Sequence, residues 1–286
     1  MANIQIYTTL ALTAVCITTL ACDNTQASQV VTSDDESVAV VAPKNDVSQV
    51  DSVKEINSVP QEAQWLIEAY PEQKLQYKDG KIVFPDGYAV VWDDGKKKSF
   101  VEQLDNSDIE DSFAMPYQLG GEPAYQADGG RSRSDAFFKK MYGASSAAVQ
   151  KNLTTVNWFG TNIKVTKVNG VDKKLKAVAA ELAKLPEMRK YIEKPQSFYW
   201  RKVRGSNRQS AHSYGIAVDM GIKYSNYWLW TYPRANENTQ IKYKNRFPEK
   251  IAKIFEKYGF IWGGRWYHFD TMHFEYRPEI LKGAKR

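Results

Sequence analysis

The spacing of apolar residues predicts a series of amphipathic helices in the C-terminal part of the chain. In VDKKLKAVAAELAKL, residues 171–185, apolar residues recur at the three- and four-residue intervals of one helical face, and Pro186 ends the pattern. A second helix is predicted to open at Phe247-Pro248, with Ile251, Phe255 and Tyr258 on its buried face. SDAFFKKMYG, residues 134–143, predicts a shorter helix.

Runs rich in β-branched and aromatic residues predict strands around these helices. The runs are TTVNWF, IKVTKV, FYWRKV, GIAVDMGI and HFEYR. Helices and strands are mixed and the connections are short, so residues 105–286 are predicted to form an α+β domain.

The preceding segment, residues 61–104, has a different pattern and predicts a small β-rich N-terminal region. Strand-like runs such as YKDGKIVF and YAVVW are short and punctuated by turn residues. Asp79-Gly80 and Asp94-Gly95 predict the corners of β-hairpins, because aspartate and glycine tolerate the backbone angles of tight turns.

The start of the chain is typical of an export signal. The apolar run from Ile4 to Ala21 has no charged residue and precedes a polar, acidic segment; a short membrane span is the alternative. TLAC is similar to the lipobox of bacterial lipoproteins, in which the cysteine is acylated and becomes the new N-terminus, so residues 1–22 are predicted to be a lipoprotein-type signal region with Cys22 as the lipid-bearing residue. The protein is then expected to be exported and anchored in the membrane by its lipid, facing the periplasm or the cell wall.

Residues 23–60 are predicted to form a disordered acidic tether. They contain no aromatic residue and seven acids against two lysines, so they bury too little apolar surface to offset the entropy of ordering. From residue 61 onward, 37 basic residues outnumber 26 acidic ones. This positive charge favours a polyanionic neighbour such as a cell wall or a membrane surface. Nucleic acid is the rival partner, but an exported chain rarely meets it, so no nucleic-acid partner is predicted.

The three histidines of the chain all lie in two short stretches, SAHSYGIAVD at residues 210–219 and WYHFDTMHFE at residues 266–275. In the first stretch, a bend at Gly215 can bring His212 and Asp219 together. Imidazole and carboxylate are ligands of hydrolytic zinc, which binds three protein side chains and keeps a fourth position open. The pattern therefore indicates a metal site that needs one more ligand.

The second stretch supplies that ligand from His268 or His273. Asp270 precedes His273 by three residues, a separation at which a turn can hold a carboxylate beside a metal-bound water without making it a ligand. A general base requires such a position, within hydrogen-bonding reach of the proton that it removes.

The two stretches together resemble the M15 family of zinc peptidases, the group of D-Ala-D-Ala carboxypeptidases and L-alanyl-D-glutamate endopeptidases. The family pattern is S-x-H-x-x-G-x-A-x-D followed by D/E-x-x-H near the C-terminus. The chain fills every fixed position, with Ser210, His212, Gly215, Ala217, Asp219, Asp270 and His273. The resemblance extends over about residues 130–280 and includes FYWRKVRGSNRQ before the first motif.

This resemblance implies a hedgehog/DD-peptidase-like fold, a central antiparallel sheet flanked by helices, with one zinc ion bound by His212, Asp219 and His273. It also implies that Asp270 is the catalytic carboxylate and that Arg201 lies near the scissile carbonyl or the terminal carboxylate of the substrate. The implied activity is hydrolysis of peptidoglycan stem peptides at a bond involving a D-amino acid, as in cell-wall remodelling.

Other residues near the motifs are candidates for substrate binding, namely Ser210, Arg204, Trp266 and His268. Each also has a structural interpretation. His268 lies among bulky aromatics and is expected first to be a buried, hydrogen-bonded histidine. Trp266 is expected first to form core or cleft wall, and Arg204 and Arg208 are expected to be solvated, as most charges are.

Two further positions have open interpretations. Glu275 shares a strand face with His273, so it either hydrogen-bonds the metal ligands or is a solvated edge carboxylate. Arg265 stands where some relatives carry an acidic residue, and this reversed charge is expected to alter which end of a peptide is accepted. Carboxypeptidase and endopeptidase activity both remain open.

Two other functions fit the same residues. One is a non-hydrolytic wall-binding module that keeps the zinc site for structure, which the peptidase-like zinc site of the hedgehog signalling domain makes plausible. The other is a peptidase that acts on proteins or on an antibiotic-related dipeptide. The intact Asp270-x-x-His273 motif argues against the first.

Overall fold

The computed structural model describes residues 58–285. The predicted signal peptide, Cys22 and most of the predicted tether lie outside the described residues. Residues 58–60 of that tether lead directly into the first helix. Within residues 58–285, no helix has the length and apolar character required to cross a membrane.

The α-helices of residues 58–285 are mostly short. They are α1 (Gln61–Ala69), α2 (Phe100–Asp105), α3 (Asp111–Ala114), α4 (Asp135–Tyr142), α5 (Ser146–Gln150), α6 (Val171–Leu182), α7 (Trp228–Thr231), α8 (Glu249–Lys257) and α9 (Pro278–Lys282). The predicted helices over residues 134–143 and 171–185 and after Pro248 are α4, α6 and α8.

The amphipathic patterns of α6 and α8 have the predicted consequence. Leu175 and Val178 of α6 are fully buried, as are Ile251 and Phe255 of α8, and the two helices contact each other. Tyr258 lies just past the end of α8 and is only half-buried.

The strands form three small antiparallel sheets. The strands are β1 (Gln76–Lys78), β2 (Lys81–Val83), β3 (Ala89–Val91), β4 (Leu153–Trp158), β5 (Thr161–Thr166), β6 (Ala217–Asp219), β7 (Phe260–Trp262) and β8 (His273–Tyr276). Their order is β1-β2-β3, β4-β5 and β6-β8-β7. The predicted α+β class is confirmed, and the sheet that carries the candidate site, β6-β8-β7, has three short strands.

One of the two predicted hairpin corners is present. Asp79 and Gly80 connect β1 to β2 with φ angles of 50° and 69°. Two successive residues with positive φ are typical of the type I′ turn, which matches the twist of paired strands.

The corner predicted at Asp94-Gly95 was wrong. The chain after β3 instead forms a loop around the buried ammonium group of Lys98, which ion-pairs with Asp94, Asp108 and Asp111. The turn residues of this segment are therefore part of a loop that is held by the ion pairs of Lys98, and they do not connect two paired strands.

The predicted strand FYWRKV was also wrong, although its backbone is held in place. Tyr199 N–H donates to the His212 carbonyl at 3.3 Å, Val203 N–H donates to the Arg208 carbonyl at 3.0 Å, and Lys202 pairs with Gln209 as an isolated bridge. The segment therefore lies alongside residues 208–213.

A single apolar cluster joins the N-terminal sheet to the sheet that carries the candidate site. It includes Ile82 of β2, Leu175 of α6 and Phe274 of β8. The rings of Phe274 and Phe255 stack with their centroids 4.0 Å apart. Because Phe274 is anchored in this core, its neighbours along β8, His273 and Glu275, point to the opposite face.

Candidate metal centre

A left-handed bend at a glycine turns the chain between His212 and Asp219. The 3-10 helix Ala211–Tyr214 ends at Gly215, whose φ is +68°, and β6 begins two residues later. A Cβ atom at this position would lie 2.7 Å from the Leu153 side chain and 3.0 Å from the Thr166 backbone nitrogen. Glycine is therefore required both for the backbone angle and for the close approach of β5.

The pairing of β6 with β8 places the other candidate ligand beside Asp219. In this antiparallel register, Asp219 lies directly opposite His273 and Ala217 lies opposite Glu275. Opposed residues in such a pair have adjacent side chains. The register thus brings together two motifs separated by about fifty residues of sequence.

Three ligand atoms converge at this point. Asp219 Oδ1 lies 3.1 Å from His212 Nε2 and 2.9 Å from His273 Nδ1, and one atom from each residue lies within 4.8 Å of the others. Ligands at the usual zinc distances of 2.0–2.2 Å in a tetrahedral arrangement are about 3.3 Å apart. The observed separations therefore fit a common metal ion.

The second nitrogen of each imidazole has its own partner. His212 Nδ1 lies 2.8 Å from the carbonyl oxygen of Ser197, and His273 Nε2 lies 2.9 Å from Glu275 Oε2. A carbonyl only accepts, so His212 donates from Nδ1, which leaves Nε2 directed at the cluster. That Nε2 atom is buried and, although Asp219 Oδ1 lies 3.1 Å away, it makes no hydrogen bond of good geometry among residues 58–285. Metal-ligating histidines are typically oriented by such contacts.

The charges of the cluster support one another. Burial disfavours ionisation of Asp219, but His212 and His273 hold the pKa of this carboxyl well below its usual range. Burial likewise disfavours a charged His273, but hydrogen bonds to Asp219 and Glu275 raise its pKa to about 10. Glu275 is fully buried, so it is not a solvated edge carboxylate, and Arg133, His273 and Arg277 keep its pKa low against the effect of burial.

Asp270 lies at a tight turn before β8. Its backbone nitrogen donates to the Gly263 carbonyl at 2.9 Å, and its carbonyl accepts from the His273 backbone nitrogen at 3.1 Å. A Cβ at Gly263 would come within 2.4 Å of the Asp270 carbonyl oxygen, so glycine is required there. Asp270 Oδ1 is buried without a hydrogen-bond partner in the described part of the chain.

The carboxyl group of Asp270 is correspondingly hard to ionise. Burial and the nearby charge of Asp219 raise its pKa to about 7, against an ordinary value of 3.8. A carboxyl group with this pKa both accepts and releases a proton near neutral pH.

The cluster opens into a cavity of about 340 Å³. The wall includes His212, Asp219, Asp270 and His273 together with the predicted substrate residues Arg201, Arg204, Ser210, Trp266 and His268. Arg201 and Arg204 are exposed, whereas Ser210 and Trp266 are buried. All of the predicted site residues from 201 onward thus meet at one cleft.

The aromatic residues of the cleft have different exposures. Trp266 packs with its ring centroid 5.5 Å from that of His273 and donates from Nε1 to the Gly129 carbonyl at 2.8 Å, so it forms wall. Trp230, which the sequence analysis did not single out, also lines the cavity and is 53% exposed.

His268 belongs to a separate buried cluster at the same cavity. Its Nδ1 lies 2.5 Å from Asp128 Oδ2, and its backbone nitrogen donates to Asp128 Oδ1 at 2.9 Å. Arg131 pairs with both Asp128 and Glu237. Sequence reasoning missed Asp128 and Glu237 because both lie far from the motifs along the chain.

Two expectations about arginines were wrong. Arg265 is buried against α8, paired with Glu249 and Glu256, and it does not line the cavity, so its charge does not face a peptide there. Arg208, expected to be solvated, is 8% exposed and does line the cavity.

Residues 204–276 match the family model for D-alanyl-D-alanine carboxypeptidase. This segment is similar to the M15 peptidases. The M15 match covers about a quarter of the chain and contains the three candidate ligands and Asp270, whereas Arg201 lies just before it. Searches of curated proteins and of solved structures returned no match to the chain. The family match supports a peptidase.

Proposed function

We propose that the protein is a zinc-dependent peptidase that hydrolyses peptidoglycan stem peptides at a bond involving a D-amino acid. One observation carries the proposal. His212, Asp219 and His273 converge in the same cavity as Asp270, whose Oδ1 has no hydrogen-bond partner among residues 58–285, within a segment that matches a peptidase family.

The donor set fits zinc. Two imidazoles and one carboxylate are common ligands of catalytic zinc, which keeps a fourth position for water or substrate. The buried Nε2 of His212 is a second indication, because it makes no hydrogen bond of good geometry among residues 58–285 and buried polar atoms are rarely left in that state. When bound, zinc would polarise the scissile carbonyl and acidify a water molecule.

Asp270 would act on that water. Its unpartnered Oδ1 accepts the proton of the attacking water as the oxygen bonds to the carbonyl carbon, and then delivers the proton to the departing amine nitrogen. The raised pKa of about 7 suits both transfers. Arg201, on the exposed wall of the cleft, supplies positive charge for the oxygen of the scissile carbonyl or for the terminal carboxylate.

We further propose that the protein works in the cell envelope, held there by a lipid on Cys22. The supporting features are the apolar start of the chain, the TLAC stretch and the positive charge from residue 61 onward, which suits an anionic wall.

Digestion of purified sacculi by the intact protein tests the activity. We expect mass spectrometry to show new stem-peptide fragments and chelation to abolish them. Asp270→Asn should retain the bound metal and lose activity by about a hundredfold or more, because it removes the general base. Asp79→Asn is the matched control, since Asp79 is exposed in the β1–β2 turn, where asparagine is equally tolerated.

Two results would contradict the proposal. If Asp270→Asn retained full turnover, Asp270 would not be the base. If sacculi bound the protein after chelation and no fragments appeared, a wall-binding module would be the better description.

A further inference from the structure

We propose that Arg208 binds a carboxylate group of the peptide substrate beside the metal centre. This inference rests on the proposed peptidase function and extends it to the class of substrate: a peptide that carries a free carboxylate close to the scissile bond.

Arg208 is a buried cation with few partners. Its Nη1 donates to the Leu104 carbonyl at 3.3 Å. Its Nε is buried and has no hydrogen-bond partner among residues 58–285. The nearest carboxylate oxygen, Asp105 Oδ1, is 4.0 Å from that Nε, too far for a hydrogen bond. A buried guanidinium is normally paired with an acceptor, so this one has unused capacity.

The neighbouring arginines differ from Arg208 in having carboxylate partners. Arg131 pairs with Asp128 and Glu237, and Arg133 contacts Glu275 at 3.1 Å, although the Nε of Arg133 is also buried without a hydrogen-bond partner among residues 58–285. Burial and the positive charges of Arg131 and Arg133 lower the pKa of Arg208 to about 10. An added anion would therefore relieve the repulsion among these cations as well as satisfy the free donor.

The position of Arg208 suits a substrate contact. It lines the cavity of the metal centre and also an adjoining cavity of about 540 Å³, so it lies where the two meet. A guanidinium binds carboxylates with two parallel hydrogen bonds, which fixes orientation as well as charge. A peptide with a carboxylate at Arg208 would thus be held with its neighbouring amide at the metal centre.

Such a carboxylate has two sources in a stem peptide. One is the C-terminal carboxylate, which would make the enzyme a carboxypeptidase. The other is the free carboxylate of an internal γ-linked D-glutamyl residue, which would suit an endopeptidase.

The test compares peptides that differ only in one carboxylate. A stem pentapeptide ending in D-Ala-D-Ala, its C-terminal amide, and the form with an amidated D-glutamyl carboxylate are given to the intact wild-type protein and to Arg208→Gln. We expect the wild-type protein to hydrolyse the free acid with a kcat/KM about 10- to 100-fold higher than that of one of the two amides, which is the range for a hydrogen bond to a charged group. Arg208→Gln should lose most of this preference. If the C-terminal amide is the poor substrate, Arg208 binds the C-terminal carboxylate; if the amidated D-glutamyl peptide is the poor substrate, Arg208 binds the D-glutamyl carboxylate.

Arg208→Lys and Arg234→Gln serve as comparisons. Lysine keeps the charge but not the paired donors, so it should restore part of the preference. Arg234 is exposed and does not line the cavity, so Arg234→Gln should leave the preference unchanged. A purely structural role of Arg208 would lower the rates for acid and amide equally, and this result would overturn the inference.

Binding measurements separate this inference from the proposed function. Calorimetric titration of the same three peptides into Asp270→Asn protein, with and without Arg208→Gln, needs no turnover. If wild type hydrolyses no peptide but binding still depends on Arg208 and the carboxylate, the peptidase proposal fails and the carboxylate site stands. If neither acid binds better than its amide, Arg208 is not a carboxylate site.

Discussion

Two clusters of histidine and carboxylate residues each contribute to the wall of the cavity, the second through His268 alone, and they differ in what balances their charge. His212, Asp219 and His273 form one, and Asp128, Glu237 and His268 form the other; each could bring three ligand atoms together for a metal. In the second cluster, the guanidinium of Arg131 already lies between the two carboxylates. Among residues 58–285, no lysine or arginine pairs with Asp219.

The same difference is visible in two buried aspartates. Burial opposes ionisation of both, but Arg131 and His268 overcome this for Asp128 and lower its pKa. Among residues 58–285, no lysine or arginine forms an ion pair with Asp270, and burial and the charge of Asp219 raise its pKa to about 7. Residue type and proximity alone therefore do not make a metal site. Among residues 58–285, the absence of a lysine or arginine partner for Asp219 distinguishes the metal centre from the ion-pair cluster.

The largest effect is expected when one histidine is removed from each cluster, which tests whether only the first cluster binds a metal ion. We expect His212→Ala to lose the stoichiometric metal and to lower peptide hydrolysis by about a thousandfold or more, because a catalytic zinc needs its three protein ligands. His268→Ala should keep one metal per chain. Elemental analysis of the purified proteins provides the measurement, and two metals per chain in wild type would show that the clusters are equivalent.

Removing the cation of the second cluster should have a smaller effect. Arg131→Met removes the guanidinium that pairs with Asp128 and Glu237. Removing one partner of a buried ion pair costs about 3–5 kcal/mol in the free energy of unfolding. Urea unfolding should show this loss in the free energy of unfolding. Arg131→Lys, which keeps a charge, should lose less.

The Arg131→Met variant also tests why the second cluster would not bind a metal ion. If the counter-charge is what excludes a metal from the second cluster, added Zn²⁺ should stabilise Arg131→Met more than it stabilises wild type. Equal effects of Zn²⁺ on both proteins would argue that geometry, not charge, excludes the ion.

The smallest predicted effect concerns the pH dependence of the metal-free protein. The folded-state pKa of Asp270, about 7, exceeds its ordinary value of 3.8, so the folded state binds this proton more tightly. The resulting stability is complete below the unfolded-state value and is lost as the pH rises through about 7. An asparagine side chain cannot ionise, so the Asp270→Asn variant should avoid this loss.

Urea unfolding after chelation, from about pH 4 to about pH 8, measures the difference between the two proteins. The variant should gain stability relative to wild type by up to a few kcal/mol as the pH rises, with little further change above pH 8. A constant difference would show that Asp270 does not titrate in this range.

Local sequence predicted the elements that depend on local chemistry. The spacing of apolar residues correctly indicated α6 and α8, and the residue types Asp79-Gly80 correctly indicated the β1–β2 turn. Both signals are properties of a few adjacent residues. The strand expected over FYWRKV failed for the opposite reason. Strand formation requires a partner, and this segment finds only isolated contacts.

Charged side chains were the least predictable part of the candidate site. Arg208 and Arg265 both carry a charge that suggests solvent, yet each is buried, one at the cavity and one against α8. Partners distant in the sequence decide such cases, and Glu249 and Glu256 have no marker in the sequence that ties them to Arg265. The sequence allows two interpretations of Glu275, and its contact with His273 decides between them.

The sequence by itself determined the identity of the candidate ligands, because the spacing of His212, Asp219, Asp270 and His273 around glycines and turns restricts which side chains can converge. Only the tertiary structure decided which cluster contains a partnering arginine and which arginine faces the cleft with a free donor. The physical reason is that burial and Coulomb interactions depend on distances between residues far apart in the chain, and local pattern carries no information on them.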